Sequence, residues 1–180
     1  GQIPWDVILI IMSAIAAICA LQLAGGLDYL VRIAESILRK NPKHINYLAP
    51  TVTYFLTILA GTGHTAFSMI PVIVEVAKSE NIKPSVPLSI AVVASQIGIT
   101  ASPVSAAVVA MSGFLEPYGV NYPTLLAICI STTFVGVMIT AFIMSTFANN
   151  DLSSDPVYQE RLAAGHVAPP REKSTDFHLK

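Results

Sequence analysis

Two stretches of small and hydroxyl-bearing residues interrupt the apolar runs of this sequence. The first break covers residues 60–66 (AGTGHTA) and the second covers residues 98–105 (GITASPVS), and neither contains Asp or Glu. A helix that begins after such a break directs unpaired N–H groups and the positive end of its dipole towards the break, where they can bind an anion such as a carboxylate. The pattern therefore favours the binding of an anionic solute.

The two breaks supply the candidate substrate-binding residues. Those of the first break are Gly61, Thr62, Gly63, His64 and Thr65, and those of the second are Thr100, Ala101, Ser102, Pro103 and Ser105. The Ser-Pro pair at 102–103 predicts an N-cap followed by the first residue of a new half-helix. After the first break the helix is expected to resume at residue 65 or 66. The imidazole at position 64 is either a carboxylate donor or a packing residue.

Long charge-free runs on either side of the breaks place them in a membrane. The sequence is 53% hydrophobic and 12% charged, whereas about 25% of the residues in a soluble domain are charged. Irregular backbone at membrane depth persists only where protein or a wet cavity surrounds it. We therefore predict an all-α membrane protein in which two breaks in neighbouring segments form a site for a polar solute.

The predicted elements follow from the apolar runs and their punctuation. A spanning helix, an amphipathic helix and a final span are expected at 7–25, 27–40 and 122–147. The run 45–77 predicts a re-entrant hairpin, since its second arm from residue 66 is short for a complete crossing. The run 86–115 is too long for a straight crossing, so we expect two half-helices joined by an extended piece.

Charged residues of the amphipathic segment fall on one helical stripe at Asp28, Arg32, Glu35 and Arg39. One interpretation is a solvated face at the membrane surface. The other is that part of the stripe faces an aqueous vestibule, where Arg39 attracts an anion. The segment alone does not decide between them.

Lys and Arg residues orient the predicted spans. They occur in the loops around 39–43 and 78–83 and in the tail, whereas the turn at 116–121 has none. The positive-inside rule then places those two loops and the tail on the cytoplasmic side. We predict a membrane domain at 1–148 and a polar cytoplasmic loop or linker at 149–180, and we interpret the sequence as a piece of a longer protein.

Several function classes find no support in the sequence. A net charge of −1 gives no reason to expect a nucleic-acid partner. Cys19 and Cys129 are isolated in apolar runs, which is typical of packing residues. Neither a nucleophile–base pair nor a metal-ligand spacing is visible, so we predict no enzyme activity, no metal site and no cofactor.

Four blocks of the sequence resemble a known family. They are QLAGGLD at 22–28, LRKNPK at 38–43, the run from YLAP to LAGTGHT at 47–65, and ITASPVSAAVV at 99–109. In this order they resemble the anaerobic C4-dicarboxylate transporter (Dcu type) family of bacteria. The resemblance runs from Ile3 to about Arg161.

The resemblance implies a multi-pass carrier of the bacterial inner membrane. Such a carrier exchanges fumarate, malate or aspartate for succinate by antiport in anaerobic fumarate respiration. It also implies the ion-transporter superfamily, whose inverted repeats each hold a re-entrant hairpin and a broken helix that bind the substrate carboxylates. This places Gly61–Gly63 and Thr100–Pro103 at the site, and implies functional charges at Glu35, Arg39 and Lys83.

The resemblance also implies the partners. The chain resembles most of the first repeat, so the partners are C4-dicarboxylate anions, the lipid bilayer and the missing C-terminal half of the same protein, and a homo-oligomer is compatible with this. Two alternatives remain open at this point. One is a sodium-coupled carrier of another organic anion in the same superfamily, and the other is a non-transporting membrane scaffold or sensor partner.

Overall fold

A computed structural model describes residues 5–148 and 151–167 of the chain. These residues are helical apart from turns, loops and one isolated β-bridge, which confirms the all-α prediction. The predicted linker at 149, 150 and 168–180 lies outside the described residues. The helices are α1 (Trp5–Leu23), α2 (Gly26–Lys40), α3 (Ile45–Ala60), α4 (Thr65–Ser79), α5 (Ser85–Ile99), α6 (Ala106–Leu115), α7 (Tyr122–Phe147) and α8 (Pro156–Ala163), with 3-10 turns at Pro42–His44 and Glu116–Tyr118.

Helices α3 and α4 form a helical hairpin around the first break. Gly61 ends α3 in the left-handed region at a φ of 69°, and its N–H donates to the carbonyl of Thr57 at 2.8 Å. The arms contain 16 and 15 residues, or about 24 and 22 Å of helix. The second arm is longer than the predicted 66–77 but remains short of a complete crossing of the roughly 30 Å hydrocarbon core. Helix α4 continues through the polar residues to Ser79, whose hydroxyl donates to the carbonyl of Val76.

Helix α3 lies at the centre of the packing. It contacts α5 along its length and also contacts α2, α4 and α7, while α5 packs on α7 and α1 packs on α6. One buried cluster joins α2, α3, α4 and α5; its members include Leu38, Ile45, Leu56, Met69, Ile73 and Ala91. A second cluster joins α3, α5, the second break and α7 through Tyr54, Ile58, Ala94, Ala101 and Val137. The hairpin is thus held against both the amphipathic helix and the final span.

Helix α7 meets the length and composition of a bilayer crossing. Its 26 residues have a mean hydropathy of 2.2 over an 18-residue window, and at 1.5 Å per residue they extend about 39 Å, beyond the roughly 30 Å hydrocarbon core. The end of α1 and α2 meet the same criteria only as a pair bent by 71° between residues 23 and 26, as in a broken span or a re-entrant loop. The predicted helix at 122–147 is confirmed, since α7 has the same bounds.

The described part of the tail is ordered against the loop between α4 and α5. Residues Ile82 and Asp151 form the β-bridge, and the Leu152 N–H donates to the carbonyl of Asn81 at 3.1 Å. Helix α8 follows, so part of the predicted loop or linker is helical. The reason is local, because the Asp155 carboxylate accepts the first N–H groups of α8. The start of the tail is thus in direct contact with this loop.

Candidate functional site

The two breaks contact each other directly. The Cα of Gly61 lies so close to Val104 that an added Cβ would be 2.7 Å from Val104 Cγ2 and 3.2 Å from the Val104 carbonyl. The buried Ser102 hydroxyl donates to the carbonyl oxygen of Ile58, near the end of α3, at 2.6 Å. The hairpin and the broken helix therefore meet at their interruptions and form one unit.

The second break extends further along the sequence than the Ser-Pro pair at 102–103 led us to predict. Helix α6 begins at Ala106 with Ser105 in the N-cap position, so Ser102 and Pro103 do not start the half-helix. The Ser102 hydroxyl donates across to α3 and accepts the N–H of Val104 at 3.3 Å instead of capping a helix. The link between α5 and α6 consists of turns and not of the predicted extended piece, since the Ala101 N–H donates to Gly98 and the Ser105 N–H donates to Ser102. The hydroxyl of Tyr122, at the start of α7, donates to the Pro103 carbonyl and holds this link in place.

A chain of buried hydroxyl groups fixes the tip of the hairpin. The Thr57 hydroxyl donates to Ser95 on α5, and Ser95 donates to the carbonyl of Gly63, each at 3.1 Å. The Thr65 hydroxyl donates to the carbonyl of Thr62 at 3.2 Å, and its oxygen lies 3.1 Å from the Thr57 hydroxyl oxygen. All three side chains are buried. The chain joins α3, α4 and α5 around the backbone of the first break.

A cleft of about 330 Å³ opens beside the first break. Its lining residues are Gly61, Thr62, Gly63, His64, Phe67, Gln96 and Ile99. Within the described ranges no Asp, Glu, Lys or Arg lines this cleft. The volume lies at the lower end of the roughly 300–1,000 Å³ of small-molecule sites. The cleft is thus a partly polar space at the N-terminal end of α4, without Asp, Glu, Lys or Arg among the described residues that line it.

The structure divides the sequence-predicted site residues between the cleft and its supports. Gly61, Thr62, Gly63 and His64 line the cleft, with the His64 N–H donating to the Thr62 hydroxyl at 3.3 Å. Thr65 lies behind them in the hydroxyl chain. Ile99 of the second break also lines the cleft, but the candidate residues Thr100, Ala101, Ser102, Pro103 and Ser105 lie outside its lining.

Each residue of the second break has a distinct environment. The exposed Thr100 hydroxyl donates to the carbonyl of Ile97 at 2.7 Å. Ala101 is buried in the cluster of α3, α5 and α7, and Ser105 is buried at the start of α6. Pro103 lines a separate apolar cleft of about 250 Å³ against α1. These residues shape the wall behind the hairpin tip.

The predicted vestibule charges lie at the far end of the hairpin. The Arg39 guanidinium forms two hydrogen bonds with the Glu75 carboxylate, at 3.0 and 3.2 Å. Glu75 is ten residues beyond Thr65 on α4, or about 15 Å along the axis. Lys83 Nζ lies 2.5 Å from Asp155 Oδ2, and this hydrogen bond lowers the pKa of the Asp155 carboxyl. Glu35 is half-buried on α2.

Sequence reasoning missed three residues of the site: Thr57, Ser95 and Gln96. Each is a polar residue within an apolar helix, about one turn before the break that ends that helix. Polar side chains at membrane depth are expensive and usually have a partner or a function. That signal was available, and would have identified α5 as a wall of the cleft.

The described residues define an all-α membrane protein in which a helical hairpin and a broken helix meet at their breaks beside a cleft without acidic lining residues. The model of the anaerobic C4-dicarboxylate membrane transporter family matches residues 1–180. The chain belongs to this family.

Named relatives agree with the family model. The chain is 74% identical to the C4-dicarboxylate transporter DcuA of Wolinella succinogenes over 93% of its length, and 67% identical to that of Helicobacter pylori strain 26695 over 100%. It is 53% identical to DcuA of Escherichia coli K12 over 98%. The chain spans 38 to 41% of the length of these relatives. No solved structure matches it.

Proposed function

We propose that this chain is part of a secondary transporter that exchanges C4-dicarboxylates such as fumarate, malate, aspartate and succinate across the bacterial inner membrane. The observation that carries the proposal is the meeting of two helix breaks beside a cleft without acidic lining in the described residues. A dianion would be repelled by buried carboxylates, and it is favoured at a helix N-terminus. The relatives, named as C4-dicarboxylate transporters, support this substrate class.

The cleft offers the substrate several donors without a fixed positive charge. The N-terminus of α4 contributes the positive end of its dipole, while the Thr62 hydroxyl and the His64 imidazole contribute side-chain donors. The remaining contacts come from the part of the protein beyond this chain. Alternating access needs that part, because one assembly moves against another around a shared site.

We further propose that Glu35, Arg39 and Lys83 form an aqueous vestibule on the cytoplasmic side. Arg39 supports this because its side chain is 39% exposed and already holds a carboxylate in a bidentate pair. A dicarboxylate that approaches this end of the hairpin meets the same planar donor. Lys83 and the tail lie on one side of the protein, which fits a cytoplasmic tail under the positive-inside rule.

The proposal is tested by counterflow in vesicles that carry the full-length protein containing this chain. Vesicles are loaded with labelled succinate and diluted into buffer with external fumarate, malate or aspartate. We expect each external C4-dicarboxylate to accelerate release of the label, and external butyrate, which has one carboxylate, to leave the release unchanged. Release that no C4-dicarboxylate accelerates would overturn the proposal.

A further inference from the structure

The side chain of Gln96 occupies an unusual position in the cleft. It projects from α5 one turn before the second break and lines the cleft with the hairpin tip. Its amide covers Gly63 so closely that a Cβ added there would lie 2.7 Å from Nε2. Within residues 5–148 and 151–167 the exposed amide makes no hydrogen bond. Both its donor and its acceptor are therefore open to a ligand in the cleft.

Nearby hydroxyl groups differ from Gln96 because protein atoms already use their protons. Ser102 donates to Ile58, Ser95 donates to Gly63, and Thr100 donates to Ile97. These groups shape the backbone of the breaks. Gln96 is the side chain of α5 that adds hydrogen-bonding capacity to the cleft itself.

The amide of glutamine combines two functions that the C4-dicarboxylates use differently. Its NH2 group donates to any carboxylate, whereas its carbonyl oxygen needs a donor. Ionised carboxylates only accept hydrogen bonds, so fumarate and succinate offer that carbonyl nothing. Malate has a hydroxyl group on C2 and aspartate has an ammonium group there, and both groups donate.

We propose that Gln96 is a specificity-determining residue that distinguishes C2-substituted dicarboxylates from unsubstituted ones. Its Oε1 accepts a hydrogen bond from the hydroxyl or ammonium group on C2, and its Nε2 donates to the carboxylate next to C2. This inference rests on the transport of C4-dicarboxylates proposed above.

The surrounding residues hold the amide where this recognition requires it. Residue 63 is a glycine, so the amide can lie over the backbone of the hairpin tip without a side chain in between. The Gly63 carbonyl is fixed by the Ser95 hydroxyl at 3.1 Å, and Ser95 precedes Gln96 on α5. The hairpin tip and the amide are therefore positioned by the same turn of helix.

The test compares apparent affinities for four substrates in vesicles that carry the full-length protein. Gln96→Leu removes the hydrogen bonds at similar size, and Gln96→Ala removes them together with the bulk. Gln22→Leu makes the same change on α1, outside the lining of this cleft. Because Gln96 is exposed in the cleft, both variants are expected to reach the membrane, and the membrane level of each is measured alongside.

The expected result is a change in selectivity. All four substrates lose the hydrogen bond from Nε2 to a carboxylate, but only aspartate and malate also lose the bond from C2. The KM for aspartate and malate should therefore rise about tenfold more than the KM for fumarate and succinate. Gln22→Leu should leave all four unchanged. An equal change for all four substrates, or no change in either variant, would overturn the inference. Failure of the unsubstituted protein to transport any of the four would instead overturn the proposed function.

Discussion

The hydroxyl of Ser102 donates a 2.6 Å hydrogen bond to the carbonyl oxygen of Ile58, which joins the second break to the hairpin. Helix α3 ends at Ala60, so the Ile58 carbonyl is one of the last four, which lack a partner within the helix. The Ser102 side chain is fully buried. The hydroxyl thus satisfies an acceptor that water does not reach.

Replacing Ser102 by Ala should destabilise the protein. It leaves the buried Ile58 carbonyl unpaired, at a cost of about 1–3 kcal/mol. We expect a lower apparent melting temperature of the full-length protein in detergent. Ser89→Ala is the matched control, because the exposed Ser89 hydroxyl donates within its own helix to Ser85. Equal melting temperatures for the two variants would show that the Ser102 contact does not join the breaks.

Helices α1 to α5 and α7 could be predicted from the sequence to within a few residues, because apolar periodicity and Gly-Pro punctuation report local preferences, whereas α8 lies in the predicted loop or linker. The predicted run 45–60 coincides with α3. The start of α6 could not be predicted in this way. Ser102 and Pro103 have the local preference for a helix start, but their contacts with Ile58 and Tyr122 are tertiary and override it.

The buried hydroxyl chain predicts coupling between Thr57 and Ser95. Thr57→Val and Ser95→Ala each interrupt the same chain, which ends at the Gly63 carbonyl. The double variant should lower the free energy of unfolding by less than the sum of the two single variants, and the difference, the coupling energy, should be about 0.5–3 kcal/mol. The measurement is a double-mutant cycle on the free energy of unfolding.

The control for this cycle combines Thr57→Val with Ser89→Ala. The Ser89 hydroxyl donates to Ser85 and is not a member of the chain of hydroxyl groups. The effect of Ser89→Ala on the free energy of unfolding should therefore add to that of Thr57→Val within about 0.3–0.5 kcal/mol. Additive behaviour in both cycles would contradict a continuous chain of hydroxyl groups.

Only some of the residues that line the cleft could be predicted from the sequence, and the reason is physical. Gly61 to His64 stand out because small residues interrupt an apolar run. Gln96 lies inside a regular helix, where the sequence gives no break, and only packing of α5 on α3 brings it to Gly63. The distance between the vestibule charges and the cleft likewise depends on the hairpin arm that separates them.

Gly61→Ala should be more damaging than either of two other glycine substitutions. At a φ of 69° the left-handed conformation of an Ala destabilises the folded state by about 1–2 kcal/mol. The added Cβ would also displace Val104. Gly119→Ala should be destabilised only by its positive φ, because nothing lies within 4 Å of the added Cβ. Gly113→Ala has open space in α6 and should be neutral, or stabilising by up to about 1 kcal/mol.

The order of apparent melting temperatures should therefore be Gly113→Ala highest, then Gly119→Ala, then Gly61→Ala. Gly61→Ala should also weaken transport, because the contact with Val104 joins the two breaks. Equal melting temperatures for the Gly61 and Gly119 variants would contradict this close contact.

The contact between Lys83 and Asp155 should make docking of the tail depend on pH. The Lys83 hydrogen bond holds the pKa of Asp155 below its ordinary value of 3.8. The stabilisation is therefore fully present above about pH 3.8 and is lost as the pH falls through the lowered pKa.

The measurement is hydrogen exchange at the Leu152 N–H, which donates to Asn81 only when the tail is docked. Lys83→Met should accelerate this exchange at pH 7, and the difference from the unsubstituted protein should vanish under stronger acid. Lys43→Met removes the same charge from the turn before α3 and should leave the exchange unchanged, whereas equal acceleration by both variants would indicate a general effect of charge.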